Sequence, residues 1–332
     1  AVKMLKCRIC YLAGIFLLLS CCSVKSEKKS QTSMKDTPIT EIPVFDEDSA
    51  YSYVEWQVEF GYRVPNTPEH EATAAFLSSE LNRHGAQVQV QEGQVTAYDG
   101  TILNIRNIIG SYNPDKEERI LLFAHWDTRP YADHDVIEAN WRKPIAGAND
   151  GASGVGVLLE IARQLGKNLP KVGVDIIFFD AEDYGIPEFW TGDYSEDSWA
   201  LGTQYWANHP HQPGYKARYG ILLDMVGDSY ATFYKEQFSM HYAAGIVNRI
   251  WRTAQRIGYG KYFINRDGGY ITDDHVYVNK VGIPAVDIIH FEPNTPTGFP
   301  AQWHTVDDTM EHIDPVTLKA VGQTVLTVLY EE

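Results

Sequence analysis

Cysteine is missing from almost the whole sequence. The chain has 332 residues, and its four cysteines, Cys7, Cys10, Cys21 and Cys22, all precede residue 23. The remaining residues therefore form no disulfide bond and offer no thiolate to a metal ion. Any metal site in the body of the protein must be built from histidine, aspartate and glutamate side chains.

Positive charge is also scarce. The sequence has 28 Lys and Arg residues against 44 Asp and Glu residues. Residues 1–40 contain seven of the basic and two of the acidic residues, which leaves 21 basic and 42 acidic residues, a net charge of −21, for the rest. A body this acidic repels polyphosphates, so the composition argues against nucleic acid as a partner.

Long apolar runs are absent except for one short stretch near the start of the chain. Lys3, Lys6 and Arg8 precede the apolar segment YLAGIFLLLS, and CCS follows it. Basic residues before a short apolar core predict a signal peptide over residues 1–22. The string LLSC resembles a lipobox, which would make Cys21 the lipidated residue; an ordinary cleaved signal and an uncleaved anchor are the alternatives.

The segment after this leader is polar. Residues 23–41 are rich in Ser, Lys and Thr, which predicts a flexible tether. Residues 42–332 have ordinary globular composition without long repeats, which predicts a single domain. We therefore expect a monomer that is lipid-anchored in a bacterial cell envelope and faces the periplasm.

Buried strands alternate with helices through the body of the chain. Periodicity and capping residues predict strands at 86–98, 118–128, 172–183, 219–228 and 282–291, and helices at 70–85, 151–168, 241–259 and 314–332. This alternation predicts an α/β layered domain around a largely parallel sheet. The segment GASGVG lacks the lysine of a phosphate loop, which favours close packing of a helix on the sheet instead.

Four of the predicted strands end in acidic or histidine-containing segments: AHWDT, FFDAED, LLDMVGD and VDIIH. Ligands of open α/β sheets bind at the carboxyl ends of the strands. Crowded carboxylates are costly unless a cation lies among them, and histidine with carboxylates suits zinc. The candidates are His125, Asp127, Asp150, Glu182, Asp183, Asp224, Asp273, Asp274, His275 and His304.

Each candidate taken alone has a simpler explanation. Asp150 could cap the helix that follows it, and His304 could be a surface histidine. Asp180 points away from its neighbours in an extended chain, which predicts a structural role in bonding loop amides. Only the joint pattern of the candidates indicates a metal site.

Seven motifs in a fixed order resemble the zinc exopeptidases of the M28 superfamily and, within them, the animal-type glutaminyl cyclases. They are AHWDT, GANDGASGVGVLLEIAR, FFDAED, LGT, LLDMVG, DDH and WHTVDD, and they cover about residues 100–330. The resemblance implies a three-layer α/β/α fold with a mixed, largely parallel central sheet. It also implies conversion of an N-terminal glutamine of peptides or proteins to pyroglutamate, with release of ammonia.

The resemblance implies one zinc ion per chain, bound by Asp150, Asp183 and His304. Glu182 would be the proton shuttle. Asp183 departs from the animal cyclases, which have glutamate there, but an aspartate remains able to bind the metal.

The resemblance also implies the surroundings of the metal. Asp224 and Asp273 would form an acidic network beside the substrate, and Trp303 would be a pocket wall. Trp190 is the expected second pocket tryptophan, although the segment YGIPEFWTGDYSEDSW diverges from the cyclases.

One further departure lies on the strand before WHTVDD. Asp287 stands where animal cyclases carry a histidine. Either this protein lacks that histidine side chain in its site, or His290 has taken over its role.

Two other functions fit the same residues. A di-zinc aminopeptidase would add His125 and Asp224 as ligands of a second zinc, with Asp150 bridging and Glu182 activating a metal-bound water. A catalytically inactive binding domain is the other alternative, and it predicts loss of ligands or of the shuttle acid. The motif DDH favours the cyclase, because a protonated Asp273 would hold Asp224 away from a second metal.

Overall fold

A computed structural model describes residues 41–332. The expected leader, its Cys21 and the tether up to residue 40 lie outside the described residues and stay predictions. Within residues 41–332, no helix combines the length and the apolar character needed to cross a bilayer.

Helices and strands alternate along the chain. The helices are α1 Glu47–Glu59, α2 Pro68–Arg83, α3 Ala152–Leu165, α4 Leu201–Asn208, α5 Gln237–Arg256, α6 Asp274–Lys280 and α7 Pro315–Tyr330. The strands are β1 Gln87–Thr96, β2 Ile102–Tyr112, β3 Arg119–His125, β4 Gly173–Phe179, β5 Tyr219–Asp224, β6 Phe233–Lys235, β7 Phe263–Asp267 and β8 Ala285–Ile289.

The central sheet has the strand order β1-β2-β4-β3-β5-β8. Strands β4, β3, β5 and β8 run parallel to their neighbours in that group. Strands β1 and β2 pair antiparallel with each other, and β2 pairs antiparallel with β4. The sheet is therefore mixed and largely parallel, as expected, and its four parallel strands end at one edge.

The sheet separates two hydrophobic cores. Alternate residues of β3 face opposite sides, because side chains of a strand alternate. Ile120 and Leu122 join a core with buried residues of α1, α3, α5 and α7. Leu121 and Phe123 join a second core with Trp206 of α4. This arrangement confirms the predicted three-layer α/β/α fold.

Helix α3 lies unusually close to the carboxyl ends of two strands. A Cβ atom added at Gly154 would lie 2.1 Å from the carbonyl oxygen of Leu223 and 3.1 Å from the Cβ of Ala124. GASGVG is therefore a helix-packing segment, as the sequence predicts. The close packing sets the loop before α3, which carries Asp150, against the ends of β3 and β5.

Candidate active site

A cavity of about 310 Å³ opens where the parallel strands end. Loops after β3, β4, β5 and β8 and the segment before α6 supply its lining. The lining residues used below are Asp150, Glu182, Asp183, Tyr194, Glu196, Trp199, Asp224, Tyr270, Asp273, Trp303 and His304. The structure thus brings most of the predicted site residues to one place.

Three buried side chains at the floor of this cavity form one metal-binding group. His304 Nε2 lies 3.2 Å from Asp183 Oδ1 and 3.6 Å from Asp150 Oδ2. Neither carboxylate oxygen of Asp183 has a hydrogen-bond partner among the described residues, although the side chain is buried. Buried oxygens are normally satisfied, so this group fits a cation. One imidazole and two carboxylates match a catalytic zinc site with an open position.

The electrostatics of the group agree with a bound cation. Burial, followed by the charge of Asp150, raises the pKa of Asp183 well above its usual range. Burial, followed by the charge of Arg129, lowers the pKa of His304 well below its usual range. A neutral imidazole is the form that binds metal, and a bound cation would offset the cost of an ionised Asp183.

A second group shares Asp150 with the first. His125 Nε2 lies 2.9 Å from Asp150 Oδ1 and 3.3 Å from Asp224 Oδ1, and all three residues are buried. Burial alone would lower the pKa of His125, but the close carboxylates of Asp127, Asp150 and Asp224 raise it well above its usual range. These residues therefore satisfy one another in part without a metal ion.

Glu182 lines the cavity but belongs to none of the groups of described residues that could hold a metal ion. Burial, followed by the charge of Asp273, raises the pKa of Glu182 well above its usual range. A carboxyl group with a raised pKa next to a metal-binding group is suited to accept and return a proton.

Two buried aspartates hold the loops that carry these residues. Asp127 accepts hydrogen bonds from the backbone N–H groups of Glu182 and Asp183 at 3.0 and 3.1 Å. Asp308 accepts from the N–H groups of Asn149 and Asp150 at 2.8 and 3.1 Å. Asp127 is one of the candidate site residues; it does not line the cavity but supports the loop that carries Glu182 and Asp183. Asp308 was missed, although it is the last residue of WHTVDD.

Arg129 is a second residue that sequence reasoning missed. Its guanidinium is buried, pairs with Asp133 at 2.7 Å and donates to the carbonyl oxygen of Asp183 at 3.1 Å. It also lies 4.8 Å from the ring centroid of Trp199. The available signal in the sequence was an arginine directly after the polar segment that ends β3. In the structure, Arg129 places a positive charge beside the acidic floor.

Two tryptophans flank His304 at the cavity wall. The ring of Trp303 stacks on His304 with centroids 3.8 Å apart, and Trp199 stacks on it at 6.0 Å. Trp190, the expected second wall, does not line the cavity; it is 38% exposed and packs against Tyr98. Trp199 lines this cavity and Trp190 does not. One divergent loop carries both tryptophans, and spacing alone does not distinguish them.

Behind Asp273 lies a further buried cluster. His275 Nε2 hydrogen-bonds to Glu236 at 3.0 Å, and its Nδ1 lies 3.7 Å from Asp287 Oδ2. Asp287 is fully buried and neither of its carboxylate oxygens has a partner among the described residues. His290 instead bonds to Glu292 at 3.0 Å and does not line the cavity. His290 has therefore not replaced the missing histidine.

Asp180 has the structural role that its position predicts. Its carboxylate accepts from the backbone N–H groups of Arg106 and Ala181 at 2.6 and 2.7 Å. The same carboxylate pairs with His70 at 2.8 Å. It therefore anchors the turn that delivers Glu182.

Backbone strain is concentrated around the cavity. Within residues 41–332, four residues other than glycine or asparagine have positive φ angles: Ala181 at 50°, Ala200 at 53°, Met225 at 47° and His304 at 53°. Each is a site residue or the sequence neighbour of a cavity residue. Such conformations cost about 1–3 kcal/mol and persist where the surrounding structure enforces them, often at functional sites.

Comparison with known proteins identifies relatives of this protein. The model of Peptidase family M28 matches residues 107–329. A solved Zn-dependent exopeptidase from Parabacteroides distasonis is 60% identical, with a TM-score of 0.87, over 88% of this chain and 100% of that chain. Tannerella forsythia glutaminyl cyclase is 59% identical, with a TM-score of 0.86, over 87% and 100% of the two chains.

A curated relative is more distant. Glutaminyl-peptide cyclotransferase from Bos taurus is 29% identical over 241 residues, which are 64% of this chain. The match spans 62% of the length of the bovine protein.

Proposed function

The chain is an enzyme of peptidase family M28, as its motifs indicated, and we propose that it is a zinc-dependent glutaminyl-peptide cyclotransferase. It converts the N-terminal glutamine of peptides to pyroglutamate and releases ammonia. The similarity to a bacterial glutaminyl cyclase at 59% identity supports this activity. The observation that carries it is the difference between the two metal-binding groups.

That difference favours one zinc ion. In the group of Asp150, Asp183 and His304, both oxygens of Asp183 lack partners among the described residues. In the other group, His125 already hydrogen-bonds to Asp150 at 2.9 Å. The first group therefore has the greater need of a cation: Arg129 lies 3.5 Å from Asp183 Oδ1, and neither oxygen of Asp183 accepts a hydrogen bond from the described residues. In the second group, one carboxylate oxygen, Asp224 Oδ1, lacks a hydrogen-bond partner within residues 41–332.

The reaction requires one proton to move within the substrate. The α-nitrogen attacks the side-chain amide carbon, the bond to the amide nitrogen breaks, and ammonia leaves. A zinc ion held by Asp150, Asp183 and His304 would supply Lewis-acid polarisation of the amide carbonyl. Glu182 takes the proton from the α-amino group and returns it to the leaving nitrogen.

The remaining floor residues position the substrate. Asp224 and Asp273 line the cavity together as an acidic pair that shares a proton. The pair holds the α-amino group close to the amide carbon, so the attack is intramolecular and well oriented. The indole rings of Trp199 and Trp303 exclude water from the reacting atoms.

The di-zinc aminopeptidase remains the second candidate, because His125, Asp150 and Asp224 also form a metal-binding group. In that enzyme Glu182 would activate water. The two functions differ in substrate: the aminopeptidase releases residues from peptides that do not begin with glutamine.

The direct test compares peptides that differ only in the first residue. The purified protein is incubated with a glutamine-leading and an alanine-leading peptide, and the products are identified by mass. We expect loss of one ammonia from the glutamine peptide alone, and its suppression by a chelator. Release of free alanine would contradict the cyclotransferase and support the aminopeptidase.

The Glu182→Gln variant tests the proton carrier. It should lower kcat by about 10²–10⁴-fold, because the amide cannot take up the proton. Zinc content should stay unchanged, since Glu182 is outside the ligand group. The control is Glu188→Gln, an exposed residue of the following loop. Full activity of Glu182→Gln would remove Glu182 from the mechanism.

A further inference from the structure

We propose that the rim of the cavity selects peptides by the charge of the residue after the N-terminal glutamine, favouring lysine or arginine over aspartate or glutamate. Glu196 is the residue that makes the distinction. This inference rests on the proposed function, and it names the class of peptide that the same site accepts.

The reaction itself fixes which part of the substrate faces the rim. Ring closure joins the α-nitrogen to the side-chain carbon, so both atoms must lie at the acidic floor. The remaining bond of the glutamine residue leads through its carbonyl group to the next residue. That residue must therefore leave through the mouth of the cavity.

The lining of the cavity has two levels. The acidic residues of the floor are buried, whereas Tyr194 and Tyr270 at the rim are 63% and 69% exposed. Glu196 is also exposed and lines the same cavity. Large aromatic side chains this exposed, at the mouth of a buried site, form an apolar contact surface for an emerging peptide.

Glu196 supplies the charge at this rim. Its carboxylate Oε1 accepts a hydrogen bond from the hydroxyl of Tyr194 at 3.2 Å, which sets the carboxylate beside an aromatic ring. Among the described residues that line the cavity, none is Lys or Arg. An acidic side chain leaving the mouth would therefore meet carboxylates and no basic side chain of the lining.

A basic side chain fits the same surface in two ways. The aliphatic stem of a lysine or arginine can lie on the tyrosine rings, and its charge can interact with the rings and with Glu196. The attraction is screened by water and salt because the rim is exposed. The expected preference is therefore moderate and depends on ionic strength.

The test uses three peptides, Gln-Lys-Ala, Gln-Ala-Ala and Gln-Glu-Ala, at low and high salt. We expect kcat/KM to fall in that order, with the lysine peptide exceeding the glutamate peptide about 10-fold or more at low salt. The difference should lie mainly in KM, and it should shrink as salt is added.

The variant Glu196→Gln should reduce the lysine-to-glutamate ratio of kcat/KM about 10-fold. Glu188→Gln is the matched control, because Glu188 is exposed in the same loop but does not line the cavity; it should keep the wild-type ratio. Equal kcat/KM for the three peptides would overturn the inference. An unchanged ratio in Glu196→Gln, or an equal loss for all three peptides, would overturn it as well. Failure to cyclise any of them would instead overturn the proposed function.

Discussion

At the scale of single residues, neighbouring carboxyl groups acquire different roles from their surroundings. Glu182 and Asp183 are adjacent and buried, and both have raised pKa values, chiefly because of burial. Asp183 lies 3.2 Å from His304 in a metal-binding group, whereas Glu182 belongs to no such group. The acid outside the ligand group is the one free to carry a proton.

Asp287 allows a test of how burial changes the pKa of a single carboxyl group. Burial raises its pKa well above the usual range, and the charges of Asp273, Glu236 and Asp224 add to the effect. The unfolded chain ionises this group near pH 4, so the free energy of unfolding falls as pH rises from there to the raised pKa. Asp287→Asn removes this dependence.

The expected result is a stability difference that changes with pH. Relative to wild type, Asp287→Asn should gain up to about 1.4 kcal/mol of unfolding free energy per pH unit within that window. Urea unfolding of the zinc-saturated proteins at pH 5 and pH 7 measures it. Asp115→Asn, on the exposed loop after β2, is the control. A difference between Asp287→Asn and wild type that is independent of pH would contradict this account.

Residue type and order predicted ten candidate site residues, because strand ends converge and few residue types can bind zinc. The family resemblance implied which three of them bind the metal. The structure brings together Asp150, Asp183 and His304, as the motifs implied. Residues that act through the backbone are harder to predict. Asp308 and Arg129 bond to main-chain groups of other loops, and nothing in their own spacing indicates which loop they will meet.

At the scale of elements, the position of α3 determines the geometry of the floor. Gly154 allows the helix to approach the ends of β3 and β5, where a Cβ would lie 2.1 Å from a backbone oxygen. Gly154→Ala should therefore push α3 away from the sheet and lower the free energy of unfolding by about 1–3 kcal/mol. It should also reduce zinc affinity, because Asp150 immediately precedes this helix.

Gly245→Ala is the matched control for this prediction. Gly245 lies in α5, and a Cβ there would meet nothing within 4 Å. This change should be neutral or stabilise the protein by up to about 1 kcal/mol, since alanine is the better helix former. Thermal unfolding and zinc titration of both variants measure the effects. Wild-type thermal stability and zinc affinity in Gly154→Ala would show that α3 can shift without cost.

Elements with a clear apolar pattern were predictable, and elements with a short or mixed pattern were not. Strands β3, β4, β5 and β8 are mostly apolar, with Asp175 inside β4 and Asp287 inside β8, and the sequence indicates them directly. The elements α1, β2, α4, β6, β7 and α6 were not predicted. In α1, Ala50, Tyr53 and Val54 are buried at helical spacing, but the buried polar Gln57 interrupts the apolar pattern. Helix α6 has only seven residues, too few to establish a period.

At the scale of the whole molecule, one edge of the sheet concentrates negative charge. Asp150, Glu182, Asp183, Asp224 and Asp273 all line one cavity in a strongly acidic chain. Such an arrangement is costly without a cation, and bound zinc would stabilise the folded state by mass action. Fold, metal and activity are thus expected to depend on one another.

Zinc titration of the metal-free protein tests the central claim most directly. Zinc is added stepwise while ammonia release from a glutamine-leading peptide and the zinc content of each chain are measured together. We predict that activity rises in proportion to bound zinc and reaches its maximum at one ion per chain. Activity that appears only as a second ion binds would contradict a single-zinc cyclotransferase.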